Sequence, residues 1–205
     1  TGAIVNTITK SGGNRFAGLF DIIYTKSSFS TTNAPASAVA QNPNLAQVNN
    51  IKKVVDFTAQ ISGPIVKDKL FFFASAQRYQ LDQDPVGPRT INNEASDRFN
   101  GKITWQPSAN DSITGHLQFD NYNIIRRAGF DQLTDTDAIT VREDAPEYVW
   151  LGQWRHLFGS KTFTEVKYTG WWGFFDLNPE TVYDDDPVTQ PGRIDENGSR
   201  YGSQG

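Results

Sequence analysis

The sequence predicts an all-β fold: an antiparallel transmembrane β-barrel in part, with about seven strands. Three observations point there. Apolar residues recur at every second position in several stretches, while helical spacing is nearly absent. Tight, turn-rich connectors alternate with long polar ones. Aromatic residues make up 13% of the chain and gather toward the ends of the alternating stretches, where amphipathic rings favour a membrane–water boundary.

The elements follow in order. The opening Thr1–Asn14, TGAIVNTITKSGGN, is a short β-branched stretch that ends at Lys10. Ser11-Gly-Gly-Asn14 then redirects the chain, the glycines permitting the backbone angles of a sharp turn. Strands are expected over about Arg15–Lys26, Lys52–Ile65, Lys69–Leu81, Arg98–Gln106, Ser112–Arg126, Glu147–Leu157 and Thr162–Leu177. In ITGHLQFD, Ile113, Gly115, Leu117 and Phe119 oppose Thr114, His116, Gln118 and Asp120. FNGKITWQ alternates in the same way from Phe99 to Gln106. Several stretches exceed the ~5–6 residues of an ordinary strand and reach the ~9–11 that cross a bilayer. Tight turns fall at Val66–Lys69, Pro107–Asp111 and Phe158–Lys161, and long loops at about 28–50, 83–95, 129–146 and 178–205. Short turns at one end and long loops at the other are the arrangement of an outer-membrane barrel.

On this reading each strand has two environments. Asp56, Lys102, Gln118, Asp120, Glu165 and Lys167 share the polar faces and are the candidates for an enclosed lumen. Phe71, Phe73, Trp105, Leu117, Phe119, Tyr168, Trp172 and Phe174 are expected to meet lipid or form the aromatic girdles. In the run Phe71-Phe-Phe73, the middle ring is expected to point the other way, into the lumen. A soluble β-sandwich would alternate too, and would bury the same aromatics between two sheets.

Composition narrows the chemistry. Lys and Arg number 19 against 23 Asp and Glu, a net charge of -4, which argues against nucleic acid as a partner. With no cysteine, disulfides and thiolate metal sites are excluded. No apolar run is long enough for a membrane-spanning helix, which leaves a barrel open. The chain begins inside a strand-like stretch and reads as an internal piece of a longer one. Asp184, Asp185 and Asp186, with Asp195 and Glu196 nearby, offer hard oxygen ligands for Ca²⁺ but lack the ligand spacing of a dedicated calcium loop; a solvated charged loop is the simpler reading. His116 and His156 fall on different expected strands, which disfavours a catalytic zinc pair; His116 is expected to face the lumen and His156 the interface. Neither an enzyme nor a cofactor is indicated.

Three stretches carry a family resemblance: Gly2-Ala-Ile-Val-Asn-Thr-Ile-Thr-Lys10 followed by Ser11-Gly-Gly-Asn-Arg-Phe16; Gly63-Pro-Ile-Val-Lys-Asp-Lys-Leu-Phe-Phe-Phe73; and Asn100-Gly-Lys-Ile-Thr-Trp105 before a short turn. Together the sequence resembles TonB-dependent outer-membrane receptors of the Oar-like group, which often carry a carboxypeptidase-regulatory-like amino-terminal domain. The resemblance implies that residues 1–13 end a plug domain and residues 14–205 begin a barrel of about 22 strands. It also implies bacterial outer-membrane placement, energy delivered by a TonB–ExbB–ExbD system through a region outside this chain, and uptake of a small solute, glycan or peptide. A surface lipoprotein partner is left open. A passive porin and a secreted β-sandwich that binds carbohydrate or protein are the rivals.

Overall fold

The computed structural model describes residues 9–29, 34–46, 50–85, 90–128, 140–179, 193–194 and 200–201. Seven strands run β1 (Ala17–Lys26), β2 (Asn50–Val66), β3 (Leu70–Asp84), β4 (Asn92–Trp105), β5 (Asp111–Arg127), β6 (Val141–Leu157) and β7 (Phe163–Gly173). They lie side by side in sequence order, every neighbouring pair antiparallel. A short β8 (Asp176–Pro179) pairs with the start of β6, and β9 (Arg193–Ile194) pairs with β10 (Arg200–Tyr201). This is an all-β, up-and-down meander of the kind a partial barrel requires. Along the meander β1 and β7 are the outermost strands.

The three tight turns form where turn chemistry placed them. Asp68 sits in the left-handed region at φ 63°. Asp is among the few non-glycine residues that tolerate that conformation. An extra residue before this turn shifts the β2–β3 register between Pro64 and Val66. In the next turn the Ser108 hydroxyl oxygen accepts from the Asn110 and Asp111 amides at 3.1 Å each, and donates to the Asp111 carboxylate at 2.7 Å. Gly159 supplies a positive φ of 79° in the third.

At the opposite end the strands are longer than alternation indicates. β4 begins at Asn92 and β6 at Val141, inside two stretches expected as loop. Their first residues, NNEASD and VREDAP, mix polar or charged side chains into both faces around Ala95, Val141, Ala145 and Pro146, so the apolar period vanishes although the ladder continues. Pairs such as Glu94↔Ile124 and Ile124↔Glu143 carry it. A one-and-a-half-turn helix, α1 (Ala36–Gln41), occupies part of the first long connection.

Register gives each face a distinct composition. One face carries the cross-strand rows Gly18–Ile61–Ala74–Gly101–Leu117–Trp150–Gly170 and Phe20–Ala59–Ala76–Phe99–Phe119–Tyr148–Trp172. The other carries Asp56–Tyr79–Ser96–Tyr122 and Ser62–Phe73–Lys102–His116. The expected assignment of the phenylalanine run is therefore reversed. Phe72 pairs with Ile103 and lies on the apolar face; Phe71 and Phe73 share the polar face. The physical reason is visible downstream. Ala74 and Ala76 continue the parity of Phe72, whereas Ser75 and Gln77 continue that of Phe73. Three identical rings carry no phase of their own.

Among the described residues the buried apolar side chains are Phe73, Ala95 and Val141. No second layer covers the apolar face there: Trp105 and Leu117 are each 45% exposed and Tyr168 71%. A β-sandwich would bury these residues. A soluble monomer rarely leaves so continuous an apolar surface open to water.

Candidate functional site

The polar face is organised as a stripe across four strands. Gln77 donates to Asp56 at 2.8 Å. Arg98 donates to Asp120 through Nε at 2.8 Å and to Gln77 at 3.4 Å. The fully buried Ser96 donates its hydroxyl to the second Asp120 oxygen at 2.6 Å. Asp56, Gln77, Arg98, Asp120 and Ser96 thus form one chain of charge-assisted bonds from β2 to β5. On β7, Glu165 accepts from Lys167 and from Gln153 of β6, both at 2.6 Å. His116 lies on the same face, 3.3 Å from the Asn100 amide oxygen.

The segment before β1 crosses this face without joining the sheet. Lys102 reaches the Thr9 hydroxyl at 3.1 Å and its carbonyl at 3.4 Å. Lys10 donates to Gln60 at 3.0 Å. Gly12 runs so close to the β2–β3 backbone that a Cβ there would collide with the Phe72 carbonyl oxygen. Phe73 lines a cavity of about 330 Å³ with Lys10, Ser11, Gln60 and Ser62, and is 8% exposed. Its ring therefore lies on the side of the sheet that the crossing segment covers. Asn14 then binds the β2–β3 turn, its amide nitrogen donating to the Asp68 carboxylate and its oxygen accepting from the Asp68 amide at 2.8 Å.

The apolar face is banded. From the row Ile113–Trp154–Val166 to the row Phe119–Tyr148–Trp172 it spans six residues of β5, roughly 20 Å at strand rise. That approaches the ~25 Å apolar band of an outer-membrane barrel. Rings stack along its upper edge: Phe119 and Tyr148 at 4.7 Å, Tyr148 and Trp172 at 5.6 Å, Trp172 and Phe174 at 5.8 Å. Trp150 lies flat over Gly170, where any side chain would strike the indole. One step above the band, Arg78 and Asp97 pair directly in register and form an ion pair, with Asn121 next along the row. His156 sits at the lower edge, 2.8 Å from Asp111 and 4.4 Å from the Phe158 ring.

All six lumen candidates (Asp56, Lys102, Gln118, Asp120, Glu165 and Lys167) share the polar face. Trp105, Leu117, Phe119, Tyr168 and Trp172 share the apolar face, and Phe174 continues it against Trp172. The acidic run Asp184, Asp185 and Asp186 lies outside the described residues. Sequence reading passed over Arg98, Ser96 and Gln77, which join the candidate carboxylates into one network. Their parity matched the polar face, but which of them meet depends on register. It also passed over Arg78 and Asp97, whose signal was an interruption of the apolar period.

No family model matches the chain, and no solved structure matches it. Over 84 residues, 39% of the chain, it is 34% identical to the "TonB-dependent transporter Oar" of Myxococcus xanthus. The match spans 8% of that transporter's length.

Proposed function

We propose that the chain is part of a TonB-dependent transporter that takes up a scarce solute across the bacterial outer membrane. The apolar face meets hydrocarbon, the polar face lines the pore, and residues 1–13 are the last part of a plug seated in it. Unpaired strand edges are costly in lipid, by several kcal/mol per group, so the sheet continues beyond β7 and before β1 closes with later strands. Long outer loops and the plug select the solute, a small molecule, glycan or peptide. Energy passed through TonB–ExbB–ExbD rearranges the plug, and the stripe from Asp56 to Asp120 offers it a hydrated, replaceable set of partners. No bond chemistry is required.

One observation supports this reading over a passive porin: Thr9, Lys10 and Gly12 lie against the polar face and outside the ladder. The similarity to an Oar transporter agrees with it. The test compares cells with and without the whole protein for depletion of solutes from the medium. Depletion that needs both the protein and the proton gradient is expected. Depletion that persists after a protonophore collapses the gradient would indicate a passive pore.

A further inference from the structure

We propose that the short-turn end of the sheet is a docking surface for anionic phospholipid headgroups, with Arg15, Lys67 and Lys69 meeting their phosphates. The proposal rests on the membrane reading above and adds a lipid partner at a defined end.

The tertiary structure brings these cations together. Lys67 and Lys69 flank Asp68 in the β2–β3 turn, and the double bond between Asn14 and Asp68 holds Arg15 against that turn. All three cations are exposed and form no ion pair among the described residues. The remaining two turns at this end, Pro107–Asp111 and Phe158–Lys161, add Lys161 and the Asp111 carboxylate, which is already held by Ser108, Trp154 and His156. Asp68 and Asp111 are the acidic residues within the three turns, and both are occupied by hydrogen bonds.

Apolar side chains stand beside the cations. Phe16 is 70% exposed, Ile65 56% and Val66 49%. Phe16 leans toward the Phe72 ring, 6.4 Å away, so this cluster continues the apolar face to its lower margin. Cations beside exposed apolar groups at the margin of a hydrocarbon band fit a phosphate that is itself tethered to acyl chains.

At the opposite end Lys52 is paired with Asp84, Lys53 with Asp82, Arg127 with Glu143 and Arg142 with Asp144. The cations without an ion pair at the short-turn end are left to attract phosphate.

The experiment uses the whole protein in vesicles and measures association of spin-labelled phosphatidylglycerol relative to spin-labelled phosphatidylcholine. The wild type is expected to prefer the anionic lipid. Arg15→Gln/Lys67→Gln/Lys69→Gln is expected to cut that preference by about tenfold at the turn-end sites, as for the loss of several surface cations. About 0.5 M salt should weaken it likewise. Lys53→Gln, near the long-loop end, should leave it unchanged. If the triple variant folds poorly, the exposed Lys67→Gln alone should move the preference the same way by less. Unchanged preference in these variants, or an equal loss from Lys53→Gln, overturns the proposal. So does displacement of the lipid by inorganic phosphate at constant ionic strength, which would mark a free-anion site. Failure of the wild type to enter vesicles at all would instead refute the membrane reading.

Discussion

The two faces of this sheet are built from the same strands, yet they solve opposite problems. On the apolar face, neighbouring side chains meet as rings over rings and rings over glycines, as where Trp150 covers Gly170. Contacts across the band are packing, apart from Trp154 Nε1, which donates to Asp111 at its lower edge, and no protein layer among the described residues supplies the far side. On the polar face carboxylates are held by donors from adjacent strands, as Asp120 is by Ser96 and Arg98 and Asp56 is by Gln77. Those bonds tolerate water, because a water molecule can replace any member. On the membrane reading proposed above, the two surroundings differ in their capacity to hydrogen-bond: one accepts none, the other many. On the same reading Arg78 and Asp97 mark where the first surrounding stops, since an ion pair half open to hydrocarbon would lose its hydration.

The sharpest way to break this comparison is a pair of adjacent substitutions. Leu117→Arg places a charge mid-band on the apolar face and should cost about 2–4 kcal/mol of stability in a bilayer. Gln118→Arg, one residue on, should cost less than about 1 kcal/mol, because its face is wet. Urea unfolding of the whole protein in vesicles reads both; equal costs would abolish the distinction between faces. Next in size, Gly170→Val should cost about 1–3 kcal/mol in the same assay, because a side chain must displace the Trp150 indole. A neutral result would mean that the indole moves freely aside. On the polar face, Asp120→Ala removes the acceptor of the buried Ser96 hydroxyl and should cost about 1–2 kcal/mol. Ser96→Ala made in the Asp120→Ala background should add little, since the orphaned hydroxyl is then gone; a fully additive pair would show that the two side chains are not coupled.

Much of this was legible in the residues because a strand's period is two and its faces are therefore written directly in sequence. Leu117 with Phe119, and Gln118 with Asp120, fall on opposite faces of the sheet for that reason. Reading failed where the period carried no phase. Phe71-Phe-Phe73 looks the same from either face, and Phe73 proved to be the covered ring beneath Lys10 and Ser11. It failed again where polar residues enter both faces, so that β4 and β6 started earlier than alternation shows.

By itself, then, the chain determined its antiparallel strands, its three tight turns and the partition of most side chains into an apolar face and a polar one. These depend on local backbone preference and on solvent, both of which act on neighbours in sequence. Only the tertiary structure decided which polar groups meet, where Thr9 and Lys10 lie, and how Asn14 brings Arg15 to a turn fifty residues away. Those contacts depend on strand register, and a shift of one residue would exchange every partner without changing a single letter of the sequence.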